Sequence, residues 1–476
     1  MSESATVIVL NELAFLQKNE PPTYFDLTEI GNSNRFALYF AKACKYVYNE
    51  GGGAWYLWDG KRWCRDYGCE IMSLAMLLPQ FIAAESTHIL NEEIRTAYEK
   101  FSRQSAKLQH LRNVLELCKS EQPFRTYFAE MDNKPYYINF GNGTYDLENN
   151  TLHKHNQEFN LTKISPINYR KDAKCRNFQS FLKLIFNDNL SVINFIQRAV
   201  GYSLSADVSE QCMFFLYGNG QNGKTTLLQV IRALLGEYGK QADPDLLISK
   251  ENMHPTSIAD LVGSRMVVTT EIDDGKYLAE ALMKQLTGGD PVKARFMRQD
   301  FFEFEPTFKI WMAANHKPKI KGTDMAIWRR IMLIPFNVTI PPADRIKNFY
   351  EKKLRNELSG ILAWAIEGCK IWMENGLNPP EEVFAAVEKY RNEMDAIGEF
   401  IAESCVIGDE YEESGIILYE NYREWCKASG LRPFGKFKFY QKLIEKGFDE
   451  QIQIGKKLFK GIIIDARRKF SDEPPF

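Results

Sequence analysis

Long apolar runs, an excess of one charge and closely paired cysteines are all missing from this 476-residue sequence. Its most apolar stretch, residues 71–84, is interrupted by Ser73, Pro79 and Gln80. It is shorter than the roughly 18 to 20 apolar residues that span a bilayer. Sixty basic and sixty-two acidic side chains give a formal net charge of −2, which excludes a uniformly basic, histone-like surface. We therefore expect no membrane span, and any grip on nucleic acid must come from local basic patches.

The nine cysteines are an odd number, and none forms a Cys-x-x-Cys pair. This pattern is typical of reduced, mostly buried cysteines rather than of a disulfide framework. The N-terminus lacks the basic start, apolar run and cleavage site of a secretory signal, so we expect a cytoplasmic protein. An alternative metal site would combine Cys64, Cys69, His153 and His155. Core packing is the favoured interpretation of these residues.

The chain changes pattern along its length, and its length suggests about three domains. Residues 1–22 have a short helical pattern that ends at Pro21-Pro22, which predicts a loosely attached arm. We expect a mixed α+β domain at 23–185, an α/β domain at 186–378 and a helix-and-hairpin module at 385–476. In the first of these, WDGKRW predicts a hairpin with a two-residue turn at Asp59-Gly60, and YYINFGNGTYDLENNTL predicts a second hairpin.

The clearest chemical signal is a glycine-rich loop between a strand, MFFLY, and an apolar helix. The loop satisfies G-x-x-x-x-G-K-[ST] in the strand, loop and helix context that its mechanism demands. Its backbone N–H groups and the helix N-terminus would face phosphates, Lys224 would reach the β and γ phosphates, and Thr225 would hold magnesium. We expect ATP and magnesium as cofactors. The expected nucleotide-binding residues are Gly218, Asn219, Gly220, Gln221, Asn222, Gly223, Lys224, Thr225 and Thr226.

Polar residues follow the later strands of the same domain. Glu271 and Asp273 come directly after RMVVTT, where carboxylates can bind the magnesium shell and polarise water. Asn315 follows FKIWMAA, where an amide can position the attacking water or sense the γ phosphate. Arg329 and Arg330 precede IMLIPF and are either structural ion-pair partners or a finger that completes a neighbour's site.

In this order, the motifs resemble those of superfamily 3 helicases. The signature consists of the loop, Glu271, the run KQLTGGD, Asn315 with its neighbours His316 and Pro318, and WRR. The likeness is strongest to phage and plasmid primase-helicases and to the poxvirus primase-helicase. Upstream, TEIGN, WDGKRW and FGNGTYDL resemble that group's helicase-associated N-terminal domain. The last module is similar to its winged-helix domain.

The resemblance implies an α/β fold: an AAA+-like P-loop ATPase core, a mixed α+β N-terminal domain and a C-terminal winged-helix module. It implies a homo-hexameric ring that translocates on single-stranded DNA while it hydrolyses ATP between subunits. By motif, Lys224 and Thr225 bind nucleotide, Glu271 is the acidic magnesium or water residue, Asn315 is the sensor and Arg330 is the finger in trans. Which acid pairs with Glu271 stays open, because Asp273 fits the family pattern less well.

Two basic regions are candidate DNA contacts. A hairpin is expected between VKARFM and FFEFEP, and in the helicases that this chain resembles such a hairpin projects into the channel. Its candidates are Lys293 and Arg298, against an interpretation as ordinary surface charge. Residues 431–460 carry a local excess of five positive charges, which suits a winged helix on duplex phosphates. The candidates there are Lys436, Lys438, Lys456 and Lys457.

Together with the motifs, the resemblance implies an ATP-dependent DNA helicase that acts in the replication of a phage, plasmid or other mobile genetic element, in a bacterium or a virus-infected cell. Expected partners are single-stranded and forked DNA, further copies of the chain, and a separate primase or polymerase. No membrane partner is expected. One alternative is an ATP-switched initiator or loader that binds and melts an origin. Another is a motor that acts on RNA.

Overall fold

The computed structural model describes residues 4–49, 52–249, 255–270, 275–297, 300–320, 325–431, 433–453 and 456–465. They divide into two compact units. The larger unit contains the chain up to Pro318 together with Arg329–Val383, and the smaller contains Lys319–Trp328 together with the chain from Phe384 onward. Within these described residues, no helix is long and apolar enough to cross a membrane.

The N-terminal part of the larger unit has a mixed sheet packed against helices. Among the described residues its strands are ordered β3-β2-β1-β4, with β4 parallel to β1 and the other pairs antiparallel. The elements are α1 (Ala5–Leu16), α2 (Glu29–Phe40), β1 (Cys44–Asn49), β2 (Gly52–Trp58), β3 (Trp63–Arg65), α3 (Glu70–Ala75), α4 (Leu78–Ser86), α5 (Glu92–Ser105), α6 (Leu108–Cys118) and β4 (Arg125–Tyr127).

Helix α1 differs from the loosely attached arm expected at residues 1–22. Val9, Leu13 and Leu16 recur at the three- to four-residue spacing of one helical face. All three are buried in the same apolar core as the mixed sheet. The buried face therefore holds residues 5–16 on the domain, and the pair Pro21-Pro22 lies in the connection after α1 rather than at a domain boundary.

The TEIGN segment begins α2 and has a structural role. The Thr28 hydroxyl accepts a hydrogen bond from the Gly31 amide at 3.0 Å and caps the helix. A Cβ at Gly31 would lie 1.9 Å from the Asp26 carbonyl oxygen, so only glycine fits there. One helical turn later, Arg35 forms a fully buried ion pair with Glu85 at 2.9 Å.

Both expected hairpins are present, but the first has a longer turn than predicted. Strands β2 and β3 pair Trp58 with Trp63, which leaves the four residues 59–62 in the loop. Asp59 Oδ1 accepts from the amides of Lys61 and Arg62, each at 2.8 Å, and closes this loop in place of a two-residue turn. The second hairpin comprises β5 (Tyr137–Phe140) and β6 (Gly143–Asp146), and β7 (Thr151–His153) pairs with β6 as a third antiparallel strand.

The second hairpin packs with the following domain rather than with the N-terminal sheet. Ile138, Phe140 and Tyr145 belong to one apolar core that continues to Val383. The N-terminal core instead ends at Met131. The division between the two cores therefore lies well before the boundary expected at residue 185.

A parallel sheet forms the centre of this second core. Over the described residues its strand order is β14-β8-β13-β10-β9, and every neighbouring pair is parallel. The elements are α7 (Arg176–Ile185), α8 (Leu190–Tyr202), β8 (Met213–Tyr217), α9 (Lys224–Leu235), β9 (Gly239–Gln241), α10 (Pro255–Ala259), β10 (Met266–Thr270), α11 (Glu280–Gly288), β11 (Val292–Ala294), β12 (Phe302–Phe304), β13 (Lys309–Ala314), α12 (Met325–Trp328), β14 (Ile331–Pro335) and α13 (Leu358–Asn375). Helix α12 lies in the smaller unit.

The smaller unit combines helices with an antiparallel sheet ordered β15-β17-β16 in the described chain. Its elements are α14 (Glu381–Glu393) from Phe384 onward, α15 (Ala396–Ser404), β15 (Cys405–Ser414), α16 (Gly415–Ala428), α17 (Lys436–Glu445), β16 (Asp449–Gln453) and β17 (Lys456–Ile464). Aromatic residues dominate its core, among them Phe400, Tyr422, Trp425 and Phe439. The helix and hairpin expected from FGKFKFYQKLIEKG onward are confirmed as α17, β16 and β17.

Candidate nucleotide-binding site

The glycine-rich loop lies at the carboxyl edge of the parallel sheet. Strand β8 is flanked by β13 on one side and β14 on the other, and residues 218–223 connect it to α9. The carboxyl ends of parallel strands share one edge, which is where ligands bind in open α/β sheets. The expected strand, loop and helix therefore occupy a position suited to phosphate binding.

Close packing explains two glycines of the loop. A Cβ at Gly218 would lie 2.3 Å from the Phe336 carbonyl oxygen. Gly223 has φ 88°, and a Cβ there would lie 2.7 Å from Ile185. Larger residues at these two positions would displace the loop or strain its backbone.

The segment after β14 forms two hydrogen bonds with the glycine-rich loop. Asn222 is 2% exposed, and its Nδ2 donates to the Phe336 carbonyl at 3.2 Å. The Ile340 amide donates to the Gln221 carbonyl at 3.0 Å. Sequence reasoning missed this clamp because its acceptors are backbone carbonyls, which have no sequence signal. The amide side chain of Asn222 within the loop motif is the one feature of the sequence that could have indicated these hydrogen bonds.

Lys224 and Asn315, which were predicted separately, are brought together. Lys224 Nζ donates to Asn315 Oδ1 at 3.1 Å and also to the Gly218 carbonyl. Asn315 Oδ1 lies 3.5 Å from the Gly220 amide. Lys224 is 6% exposed, and burial lowers the pKa of its ammonium. A cation and an amide side chain therefore meet at the loop.

The donors at this edge fit the phosphates of a nucleotide. The first amides of α9, from Lys224 onward, have no partner within their own helix and add the positive end of its dipole. Thr225 is exposed in that first turn, where its hydroxyl can reach a metal ion. Glu271 and Asp273, the expected acidic partners, lie outside the described residues, so Thr225 is the only expected metal ligand with a described position.

The structure does not bring Arg330 to the loop. Its carbonyl accepts from the Met213 amide at 2.7 Å, which places it beside the first residue of β8. Gly218 follows the last residue of the same strand. Arg330 therefore lies at the amino end of the parallel strands and Gly218 at their carboxyl end. Arg330 is 9% exposed, Arg329 is exposed, and both guanidinium groups lie 3.4–3.5 Å from Gln211 Oε1.

The hairpin expected between VKARFM and FFEFEP is confirmed as β11 and β12. Lys293 lies opposite Glu303, with Nζ 3.6 Å from Oε1, and both side chains are largely exposed. The Phe302 ring, at the turn end of the hairpin, lies 6.5 Å from that of Phe128 in the N-terminal part of the unit. Arg298 lies outside the described residues. Lys293 is therefore the one hairpin candidate with a described position, and Glu303 offsets part of its charge.

The lysines of the smaller unit differ in their surroundings. Lys436 and Lys438 are exposed on α17. Lys457 instead forms an ion pair with Glu450, which offsets part of its charge. Lys456 is the first residue of β17, and its side chain is not among the described ones. The helix therefore offers the more accessible basic surface.

The alternative metal site at the cysteines and histidines is not formed. Cys64 Sγ donates to Asp59 Oδ2 at 3.3 Å, and the His155 ring lies 2.9 Å from Asn139 Oδ1. Where the chain is described, no group of three or more His, Cys, Asp or Glu residues could hold a metal ion. Cys64 and His155 are thus engaged in local hydrogen bonds.

Family models match three stretches of the chain. Residues 33–187 match a model described as D5 N terminal like, and residues 392–457 match one described as poxvirus D5 protein-like. Between them, residues 216–330, which include the glycine-rich loop, match a family of unknown function (DUF5906).

Relatives occur in large DNA viruses. "Putative helicase L207/L206" of Acanthamoeba polyphaga mimivirus is 24% identical over 87% of this chain and 49% of its own length. "Putative primase C962R" of African swine fever virus is 23% identical over 72% of this chain and 39% of its own length. The chain therefore spans about half or less of the length of these relatives.

Among solved structures, the chain is similar to the apo C-terminal region of NrS-1. The TM-score is 0.50 at 11% identity, with 90% of this chain and 98% of that chain covered. At this identity the likeness concerns the fold alone. D5-type models on both sides of the glycine-rich loop, together with relatives of this kind along most of the sequence, show that the chain belongs to the poxvirus D5-like primase-helicase family.

Proposed function

We propose that this chain is an ATP-dependent DNA helicase of superfamily 3 type that acts in replication, in the cytoplasm of its host cell. The observation that carries the proposal is the meeting of Lys224 and Asn315 at a glycine-rich loop on the carboxyl edge of a parallel sheet. A cation next to an amide suits a γ phosphate and an attacking water. The family relationship then selects DNA unwinding among the uses of such a site.

The strand order supports an AAA+-like core. In β14-β8-β13-β10-β9, the strand that carries the loop lies between the strand that leads to Asn315 and the strand that follows Arg330. ATP would be held by the loop and by the first turn of α9, and magnesium by Thr225 and Glu271. The neutralised phosphates would then be open to attack by a water that Asn315 positions.

The position of Arg330 supports a site shared between subunits. It lies at the sheet edge opposite the loop, so it cannot reach a nucleotide bound to its own chain. In a hexameric ring, this edge would face the loop of the next subunit. Arg330 would then stabilise the charge that develops during phosphoryl transfer in that neighbour.

Two surfaces would hold DNA. The hairpin β11–β12 would follow one strand, through Lys293 and Arg298. The order α15, β15, α16, α17, β16 and β17 is that expected of a winged helix, with α17 as its recognition helix and β16–β17 as its wing. Single-stranded and forked DNA are the proposed substrates, and priming is assigned to a separate primase or polymerase.

Strand displacement on forked DNA tests the assignment. Unwinding should require ATP, fail with a non-hydrolysable analogue and be lost in Lys224→Ala. Lys370→Ala, at an exposed position on α13, is the matched control and should unwind normally. Melting of an origin duplex with the analogue would favour the initiator alternative, and displacement of RNA alone would favour the RNA motor.

A further inference from the structure

Helix α17 has one buried face and one exposed face of unusual composition. Phe439 and Leu443 are buried in the core of the smaller unit. Phe437 is 73% exposed, and Gln441 and Ile444 are also exposed. These three residues are spaced by four and three positions, so they lie on one side of the helix. An aromatic ring near the start of the helix thus faces solvent beside an amide.

Two lysines flank this exposed face. Lys436 Nζ lies 5.9 Å from the centroid of the Tyr440 ring, and Lys438 Nζ lies 4.8 Å from that of Phe434. Each ammonium group is thus within cation–π range of a ring, while both lysines remain exposed to solvent. Glu445, the acid of the same helix, lies 3.7 Å from Lys442. The face is therefore apolar and amide-bearing at its centre and cationic at its N-terminal margins.

We propose that this face of α17 enters the major groove of duplex DNA and recognises A·T base pairs. Phe437 would contact thymine methyl groups, and Gln441 would form a bidentate hydrogen-bond pair with adenine N6 and N7. Lys436 and Lys438 would hold phosphates on either side. The proposal rests on the winged-helix role assigned above, and it adds base recognition to a motor that needs none for translocation.

The composition favours DNA over a protein partner. Lysine is depleted in the cores of protein interfaces, whereas two lysines border this small apolar centre. The first turns of a recognition helix supply the side chains that reach base edges, and Phe437 and Gln441 both lie there. Phenylalanine and glutamine match the two features by which the major groove distinguishes A·T from G·C.

Duplexes with modified bases test each contact separately. Their affinity for the 476-residue chain is measured by fluorescence anisotropy in the absence of ATP. Replacing thymine with uracil removes the methyl group, and 7-deazaadenine removes the N7 acceptor. The wild type should bind the uracil duplex about fourfold more weakly and the 7-deazaadenine duplex about fivefold more weakly or worse. Phe437→Ala should lose only the uracil effect, and Gln441→Ala only the 7-deazaadenine effect. Phe384→Ala removes another exposed aromatic of this unit and should behave as the wild type.

Three results would overturn the proposal. One is equal affinity of the wild type for all duplexes, including a G·C duplex. Another is a uniform loss of affinity in Phe437→Ala and Gln441→Ala, as expected of a phosphate contact. The third is a change of sedimenting mass in Phe437→Ala with DNA binding intact, which would assign the face to self-association. Loss of unwinding with the base pattern intact would instead reject the helicase assignment and leave this proposal standing.

Discussion

Asn315 Oδ1 lies 3.1 Å from Lys224 Nζ, so the end of β13 and the glycine-rich loop meet through one amide oxygen. Asn315→Ala should lower the turnover of ATP by about 100-fold or more, because a group that orients the attacking water is lost. The Kd for nucleotide should change little, since the loop itself is intact. Steady-state hydrolysis and binding of a fluorescent nucleotide check this. Asn315→Ala with normal turnover would assign the amide to structure alone.

The arginines before β14 allow a test of shared active sites. Mixed rings of Arg330→Ala and Lys224→Ala protein should regain part of the ATPase activity, because some interfaces pair an intact loop with an intact arginine. Arg329→Ala is the control at the neighbouring position and should hydrolyse ATP on its own, without mixing with a second variant. Hydrolysis rates across mixing ratios give the answer. Confirmed mixed rings without recovery would make Arg330 a structural residue, and recovery with Arg329→Ala would move the role to Arg329.

The ion pair on the wing predicts a gain of binding. Glu450 offsets the charge of Lys457, so Glu450→Gln should strengthen duplex binding and steepen its salt dependence by about one phosphate contact. Lys457→Ala should weaken binding less than Lys438→Ala does, because Lys438 faces solvent. Anisotropy titrations at several salt concentrations compare them, with Glu424→Gln on α16 as an exposed control. Unchanged affinity in Glu450→Gln would remove Lys457 from the DNA surface.

Lys309 at the start of β13 predicts a pH dependence of stability. It is 1% exposed and donates to the carbonyls of Ser205 and Asp207 at 2.6 and 2.9 Å. Burial lowers the pKa of its ammonium from the ordinary value of 10.5 to about 7. Between these values the unfolded chain binds a proton that the folded chain lacks. The free energy of unfolding should therefore rise with pH across this window, by at most about 1.4 kcal/mol per pH unit.

Chemical denaturation between pH 6 and pH 10 measures this effect. Lys309→Met should flatten the rise, because the group that titrates is removed. Lys240→Met, at a more exposed position on β9, should leave the slope unchanged. A slope in Lys309→Met equal to that of the wild type would mean that other groups cause the pH dependence.

The loop, its strand and its helix could be predicted because their signal is contiguous in the sequence. The nearness of Lys224 and Asn315 could also be anticipated, since the ends of parallel strands share one edge. The strand order and the clamp from Phe336 and Ile340 could not, because they depend on long-range pairing through backbone atoms. The arm was mispredicted because the proline pair indicates only a break in the chain after α1, while the burial of Val9 and Leu13 depends on a distant sheet.

Trp328 packs edge-to-face on Tyr390, with ring centroids 5.2 Å apart, although 62 positions separate them and the chain between them returns through β14 and α13. The smaller unit is therefore assembled from two separate pieces of the sequence. A protein truncated after the Pro379-Pro380 pair would keep Trp328 but lose Tyr390. Expression of the chain in two pieces divided there should consequently yield a core fragment in which the Trp328 indole is newly exposed. A soluble pair of fragments would instead require co-expression of both.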